Sequence, residues 1–114
     1  MPYLKLETNA PLGNPQAGEL AKVLSAALAQ VTGKPESVCQ VGVAGGTTML
    51  MGGTNEPTAY VDVKGIGFSE EKAAPMSKAV CAILSDMLGI KGGRIYISFS
   101  SYKGSMWGVN GGTF

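Results

Sequence analysis

Residues 20–33 read LAKVLSAALAQVTG, and their apolar side chains recur with the spacing of one helical face. The i, i+3, i+4, i+7 pattern is typical of an amphipathic helix, and it is carried by Leu20, Val23, Leu24, Ala27, Leu28 and Val31. Gly33, followed by Lys34 and Pro35, predicts the end of this helix. We expect Asn14 to cap its start, with Pro15 at the first helical position, where a missing N–H costs nothing.

Alternating segments flank this helix and predict a β-α-β unit. Residues 3–8 and residues 38–44 both alternate between core-type and polar or small side chains, as half-buried strands do. The core-type faces of the two segments consist of Leu4, Leu6, Thr8, Cys39, Val41 and Val43.

The second half of the chain repeats this order of elements. Residues 59–64 and 94–101 alternate as strands, and between them a helix is expected to open near residues 69–71, with acidic side chains in its first turn, and to stop at Gly89. Pro75 is expected to kink this helix unless it effectively begins near residues 71–72.

Two such units predict a single domain over residues 1–114 of the α/β (α+β) class: a four-stranded mixed sheet with both helices on one face. The alternative, a doubly wound sheet, needs near-continuous apolar strands, and these strands alternate. An offset of 56 residues superposes the halves, with Leu4 on Tyr60, Gly33 on Gly89 and Val41 on Ile97.

The face of the sheet without helices carries an unusual mixture of aromatic and polar groups. It is expected to present Tyr3, Lys5, Glu7, Gln40, Tyr60, Asp62, Lys64, Tyr96 and Ser98. Because three tyrosines on one face exceed what a solvated surface needs, we expect another subunit to cover part of it.

Composition excludes several classes of chemistry. The chain has 114 residues and no histidine, which removes Ser-His-Asp and Cys-His catalysis and every His-containing metal site. A net charge of +1 with no basic run gives no reason to expect a nucleic-acid partner. Cys39 and Cys81 lack metal-ligand spacing and are interpreted as core residues, so neither a metal nor a cofactor is expected. Without a leader-like or membrane-spanning stretch, the predicted location is cytoplasmic.

Pro2 is the first candidate for acid–base chemistry. Initiator methionine is usually trimmed before a proline, which leaves a secondary amine at the start of the first strand. An α-amino group ordinarily titrates near 7.7–8.0, and an apolar pocket with a nearby cation would lower that pKa. Such an amine is a plausible general base, although Met-Pro taken alone is an ordinary beginning.

Several short motifs follow one another along the chain: Pro2, Thr8-Asn9, Thr32-Gly33-Lys34-Pro35, Gly52-Gly53, Glu56-Pro57, Gly65-Ile66-Gly67, Arg94-Ile95-Tyr96-Ile97 and Asn110-Gly111-Gly112-Thr113-Phe114. In this order and at nearly the right spacing, they resemble the macrophage migration inhibitory factor family within the tautomerase superfamily. The resemblance covers essentially the whole chain.

This resemblance implies a homotrimer whose sheets surround a central channel, and keto–enol tautomerisation of aromatic 2-oxo acids such as phenylpyruvate, or of dopachrome-like compounds. It implies that Pro2 is the base, that Lys34 pairs with the substrate carboxylate, and that the backbone N–H of Ile66 hydrogen-bonds it. Tyr96 from the neighbouring subunit and Phe114 would line the aromatic end of the site.

The chain also departs from the family pattern. Ser98 stands where the family has asparagine, and the tryptophan and valine around a glycine are exchanged as Trp107-Gly108-Val109, which changes the donor and the wall expected for the pocket. The animal proteins' CxxC falls at Thr58 and Val61, so no thiol oxidoreductase activity is expected.

Two other functions stay open. One is a signalling or binding protein with a vestigial pocket, for which the sequence identifies no receptor. The other is an isomerase acting on a dicarboxylate, which needs a second cation near Lys34; Lys5, Lys64 and Lys103 are the candidates.

Overall fold

A computed structural model describes all residues, from Met1 to Phe114. The main strands are β1 (Pro2–Thr8), β2 (Gln40–Ala44), β3 (Ala59–Ile66) and β4 (Ile95–Tyr102), and the helices are α1 (Asn14–Thr32) and α2 (Ala73–Leu88). Two short strands, β5 (Gly108–Val109) and β6 (Gly112–Thr113), form a hairpin near the C-terminus. Single 3-10 turns precede β2, α2, β4 and β5.

The four main strands form one mixed sheet in the order β2-β1-β3-β4. β1 pairs parallel with β2 and antiparallel with β3, and β3 pairs parallel with β4. Inward side chains of the sheet join one core with those of both helices, and its fully buried members include Leu4, Leu6, Leu20, Leu24, Leu28, Val61, Val63, Met76, Val80 and Leu84. The predicted four-stranded sheet with both helices on one face is confirmed.

The start of α1 differs from the prediction that Asn14 caps it. Gly13 is the N-cap residue, and its carbonyl accepts the first helical hydrogen bond from Ala17 N–H at 2.9 Å. Asn14 is therefore the first helical residue and Pro15 the second. Proline is tolerated there because the first four N–H groups of a helix have no partner within it. The predicted C-terminus is confirmed: Gly33 ends the helix with φ of 72°, in the left-handed region that glycine adopts readily.

α2 avoids the kink expected at Pro75. A 3-10 turn over Glu70–Lys72 comes first, and the α-helix begins at Ala73. Pro75 is thus the third helical residue, where no intrahelical hydrogen bond is lost. Gly89 ends this helix in the left-handed conformation, as predicted.

The strand bounds shift slightly from those predicted, and the 56-residue offset fails for the first strand. β2 is shorter because the chain before it forms the turn Glu36–Val38, and β4 starts and ends one residue later than expected. Leu4 is fully buried, whereas Tyr60 is 40% exposed, so their superposition was wrong. Successive side chains of a strand alternate sides, and a one-residue slip exchanges its faces.

The long connection between β2 and β3 is held by Arg94, which directly precedes β4. The guanidinium donates hydrogen bonds of 3.0–3.4 Å to four backbone carbonyls of this loop, those of Met51, Thr54, Glu56 and Pro57. Asn9 adds bonds to the same segment, since its amide donates to the carbonyls of Asn55 and Glu56 at 3.1 Å. One end of the sheet therefore carries an ordered loop.

The helix-free face of the sheet is open in the single chain. Tyr96 is 62% exposed and Tyr60 40% exposed on this face. The expectation that another subunit covers these tyrosines stays a prediction. Neither helix is both long and apolar enough to cross a membrane.

Candidate active site

Pro2 begins β1 and is buried, and its register partner on β3 is Gly65. Met1 precedes it, and the pKa of the Met1 amino group reflects the electrostatic surroundings at this end of the strand. Burial lowers the pKa of that amine below its usual 8.0, and the positive charge of Lys34 lowers it further. The charge of Cys39 has the opposite effect and raises the pKa of the Met1 amine. The two main causes are those expected to keep an amine neutral at this position.

A small cleft of about 60 Å³ lies on one side of Pro2. Its walls come from the C-terminal end of α1, the end of β3 and the turn before α2. The lining residues are Met1, Pro2, Thr32, Lys34, Gly65, Ile66, Gly67, Phe68 and Lys72. Pro2, Lys34 and Ile66, which the resemblance assigned to one site, are therefore brought together.

Lys34 reaches the cleft because α1 ends just before it. Gly33 turns the chain and donates its N–H to Ala29 at 2.9 Å, and Lys34 N–H bonds the Thr32 hydroxyl at 3.4 Å. The side chain is exposed and forms no ion pair with a carboxylate. Its ammonium is available to an anionic ligand.

Lys72 is a second cation of the same cleft, and the sequence reasoning missed it. Its Nζ donates a hydrogen bond to the Thr32 carbonyl at 2.7 Å. None of the expected candidates lines the cleft; Lys64, for example, pairs with Asp62 at 3.3 Å, and their hydrogen bond raises the pKa of Lys64. The sequence contains one indication of Lys72: it lies directly before α2, on the turn that follows Gly65-Ile66-Gly67.

Pro2 also lines a larger groove of about 300 Å³. The C-terminal hairpin forms one wall, and the turn before β2 forms the other. Trp107, Val109 and Phe114 supply the apolar side chains of the hairpin wall, and Val38 supplies one from the turn. The Trp107 ring packs edge-on against Tyr102 at 5.6 Å, and Phe114 N–H bonds the Trp107 carbonyl at 3.2 Å. Pro2 thus lines both the cleft that contains the lysines and this largely apolar groove.

Tyr96 and Ser98 do not join Pro2 within one chain. Pro2 pairs with Gly65, which pairs with Ser101, and Tyr96 lies five residues earlier on β4. At about 3.3 Å per residue this is roughly 16 Å along the strand, beyond the reach of a tyrosine side chain. Ser98 instead accepts a 2.6 Å hydrogen bond from the hydroxyl of Tyr60.

Comparison with known proteins identifies the family. The family model described as macrophage migration inhibitory factor matches residues 1–114. The chain belongs to this family. The resemblance seen in the sequence is confirmed.

Relatives of the macrophage migration inhibitory factor family match over most or all of their length. The chain is 36% identical to the macrophage migration inhibitory factor homolog of Trichuris trichiura over 115 residues, covering 100% of both. It is 36% identical to D-dopachrome decarboxylase of Mus musculus over 101 residues, covering 87% of this chain and 85% of the relative. The crystal structure of the homologue from Prochlorococcus marinus superposes with a TM-score of 0.92 at 35% identity, covering 98% of each chain.

Proposed function

We propose that the protein is a keto–enol tautomerase of aromatic 2-oxo acids such as phenylpyruvate, and that the Pro2 amine is its general base. One observation carries the proposal: buried Pro2 lines both a cleft with two lysines and a groove that contains Trp107, Val109 and Phe114. A 2-oxo acid has a matching form, because its carboxylate and carbonyl lie at one end and its aromatic ring at the other. A dopachrome-like compound has the same division.

The base requires that Met1 be removed. With Met1 attached, the Pro2 nitrogen is a tertiary amide and has no basic lone pair. Once Met1 is gone, the Pro2 amine lies one residue from the place where burial and the Lys34 charge lower the pKa of the Met1 amine, and we expect the same two causes to act on it. A general base is most effective when its pKa lies near the working pH, and this chain has no histidine to serve instead.

In the proposed complex, Lys34 pairs with the substrate carboxylate and the backbone N–H of Ile66 hydrogen-bonds it. Trp107, Val109 and Phe114 hold the ring. With the ring held in this groove, the substrate's C3, which carries the proton to be moved, would lie next to the amine. General base catalysis of this kind contributes about 10²–10⁴-fold to the rate.

We propose that the working form is a homotrimer with its sheets around a central channel. The exposed tyrosines of the helix-free face support this assembly, as do Met106 and Leu50, which are 72% and 66% exposed. Tyr96 would then complete the site of the neighbouring subunit. Ser98 would contribute less than the family's asparagine, since its hydroxyl is short and already bonded to Tyr60.

The test is phenylpyruvate enolisation, followed by ultraviolet absorbance, with protein whose intact mass shows that Met1 is absent. Wild type should accelerate the reaction, and Pro2→Gly should lose most of the acceleration. Pro11→Gly, which replaces an exposed proline outside the cleft, is the matched control and should keep it. Equal slow rates in wild type and Pro2→Gly would favour a binding protein with a vestigial pocket.

The trimer is tested separately by light scattering. The expected mass is three times the 11.7 kDa of one chain. A single 11.7 kDa species at micromolar concentration would contradict it.

A further inference from the structure

We infer that Lys34 and Lys72 together form a site for two neighbouring anionic oxygens, the carboxylate and the enolate oxygen of the reacting 2-oxo acid. Lys72 takes the enolate oxygen. This inference rests on the proposed function and assigns it a further catalytic residue.

The first support is the position of the Lys72 ammonium. Lys72 ends the 3-10 turn that precedes α2, is half-buried, and lines the cleft that Pro2 and Lys34 share. One of its N–H groups is fixed on the Thr32 carbonyl at 2.7 Å. An ammonium has three donors, so two remain for a ligand while the first holds the group in place.

The second support is the absence of a compensating carboxylate. The ion pairs of the chain are Lys22–Glu19 and Lys64–Asp62, and neither involves the cleft. Glu70 and Glu71 lie in the same turn as Lys72, but both are exposed and neither lines the cleft. Two lysines and no acidic residue therefore line a cleft of about 60 Å³. Such a space favours a compact ligand with two negative charges.

The proposed reaction produces such a charge distribution. Pro2 nitrogen takes a proton from C3, and the C–H electron pair becomes the C2=C3 double bond. The carbonyl π pair moves to oxygen, so the intermediate carries a carboxylate and an enolate oxygen on adjacent carbons. The prolinium then returns its proton to that oxygen and the enol leaves. Donors already aimed at a developing oxyanion stabilise it strongly, because they need no reorganisation during the reaction.

A structural role for Lys72 is the competing explanation. The Thr32 carbonyl is at the C-terminal end of α1, where a cation is favourable in any case. A purely structural lysine would change thermal stability and leave ligand charge preference and kcat unchanged. The two explanations therefore separate by experiment.

Direct binding tests the site without turnover. Oxalate has anionic oxygens on adjacent carbons, as the enolate intermediate does, and acetate has one carboxylate. By calorimetry, Met1-free wild type should bind oxalate at least about 10-fold more tightly than acetate, the effect of one added charge-assisted hydrogen bond. Lys72→Gln should lose this preference, and Lys72→Arg should keep part of it. Lys78→Gln removes the same charge from an exposed position of α2 and should keep it in full.

Kinetics then tests the role in the reaction. Lys72→Gln should lower kcat for phenylpyruvate by about 10²-fold with little change in KM, because the lost contact is made to charge that develops in the transition state. The inference is wrong if wild type binds oxalate no better than acetate, if Lys72→Gln behaves like Lys78→Gln, or if Lys72→Gln changes KM alone. If oxalate binds through Lys72 and no turnover is seen, the dianion site stands and the proposed function fails.

Discussion

Two impaired variants should restore activity when they share a trimer. Pro2→Gly replaces the rigid secondary amine of the base with a flexible primary amine but keeps Tyr96, and Tyr96→Ala lacks the tyrosine but keeps Pro2. Within one chain these residues lie five register positions and two strands apart. That separation is roughly 16 Å along the strands and a further 10 Å across them. A site that uses both must therefore draw them from different subunits.

The expected magnitudes follow from this geometry. Losing the tyrosine removes a hydrogen bond and an aromatic contact, each worth about 0.5–1.5 kcal/mol, so Tyr96→Ala should lower kcat/KM by roughly 10- to 100-fold. In trimers formed at random from equal amounts of the two variants, a site is intact when its base comes from one variant and its tyrosine from the other. About one quarter of the sites meet both conditions.

The assay is enolisation of phenylpyruvate after the two variants are unfolded together and refolded as a mixture. Activity should rise to about one quarter of the wild-type value. Phe114→Ala mixed with Pro2→Gly is the control, because Phe114 shares a groove with Pro2 in its own chain and no intact site can form. Full activity of Tyr96→Ala alone, or a mixture no more active than its parts, would refute a shared site.

Three further changes probe the cation, the core and the loop. Lys34→Gln should lower kcat/KM by roughly 10- to 100-fold by removing the carboxylate contact. The acid limb of the pH–rate profile should also move to higher pH, because loss of the cation is expected to raise the pKa of the Pro2 amine, as Lys34 lowers that of the Met1 amine. An unshifted limb would contradict the role of Lys34 in tuning the base. Leu24→Ala, at a fully buried position, should cost about 2–5 kcal/mol of unfolding free energy, whereas Val23→Ala, 40% exposed, should cost much less; denaturant titration measures both. Arg94→Met should lower Tm by about 10 °C at fixed protein concentration, because four carbonyls lose hydrogen bonds to a charged donor that are worth about 2–4 kcal/mol in total. An unchanged Tm in calorimetry would show that the loop does not depend on Arg94.

Local pattern predicted the fold well where one periodicity dominates. The stripe of α1, the alternation of β1 and the glycines that end both helices each have a direct physical cause, and each is found in the structure, except that Val23 of the stripe is 40% exposed. Element starts were less predictable. Asn14 has the better capping side chain, yet the chain caps with Gly13, whose extended backbone supplies the first carbonyl.

Residues of the candidate site could be predicted only where they belong to a recognisable sequence motif. Pro2, Lys34 and Ile66 come from three separate segments, and the structure places them on one cleft. Lys72 had no motif, because its role depends on how the turn before α2 packs against the end of α1. Tyr96 could not be placed from one chain at all, since its expected partner is on another subunit.

The most direct test is a titration of the Pro2 nitrogen by NMR, on protein labelled at proline and free of Met1. We expect a single deprotonation with a pKa below the usual α-amino value of 8.0, because the burial and the Lys34 charge that lower the pKa of the adjacent Met1 amine should also act on the Pro2 amine. A nitrogen that keeps its proton well above pH 8 would contradict it.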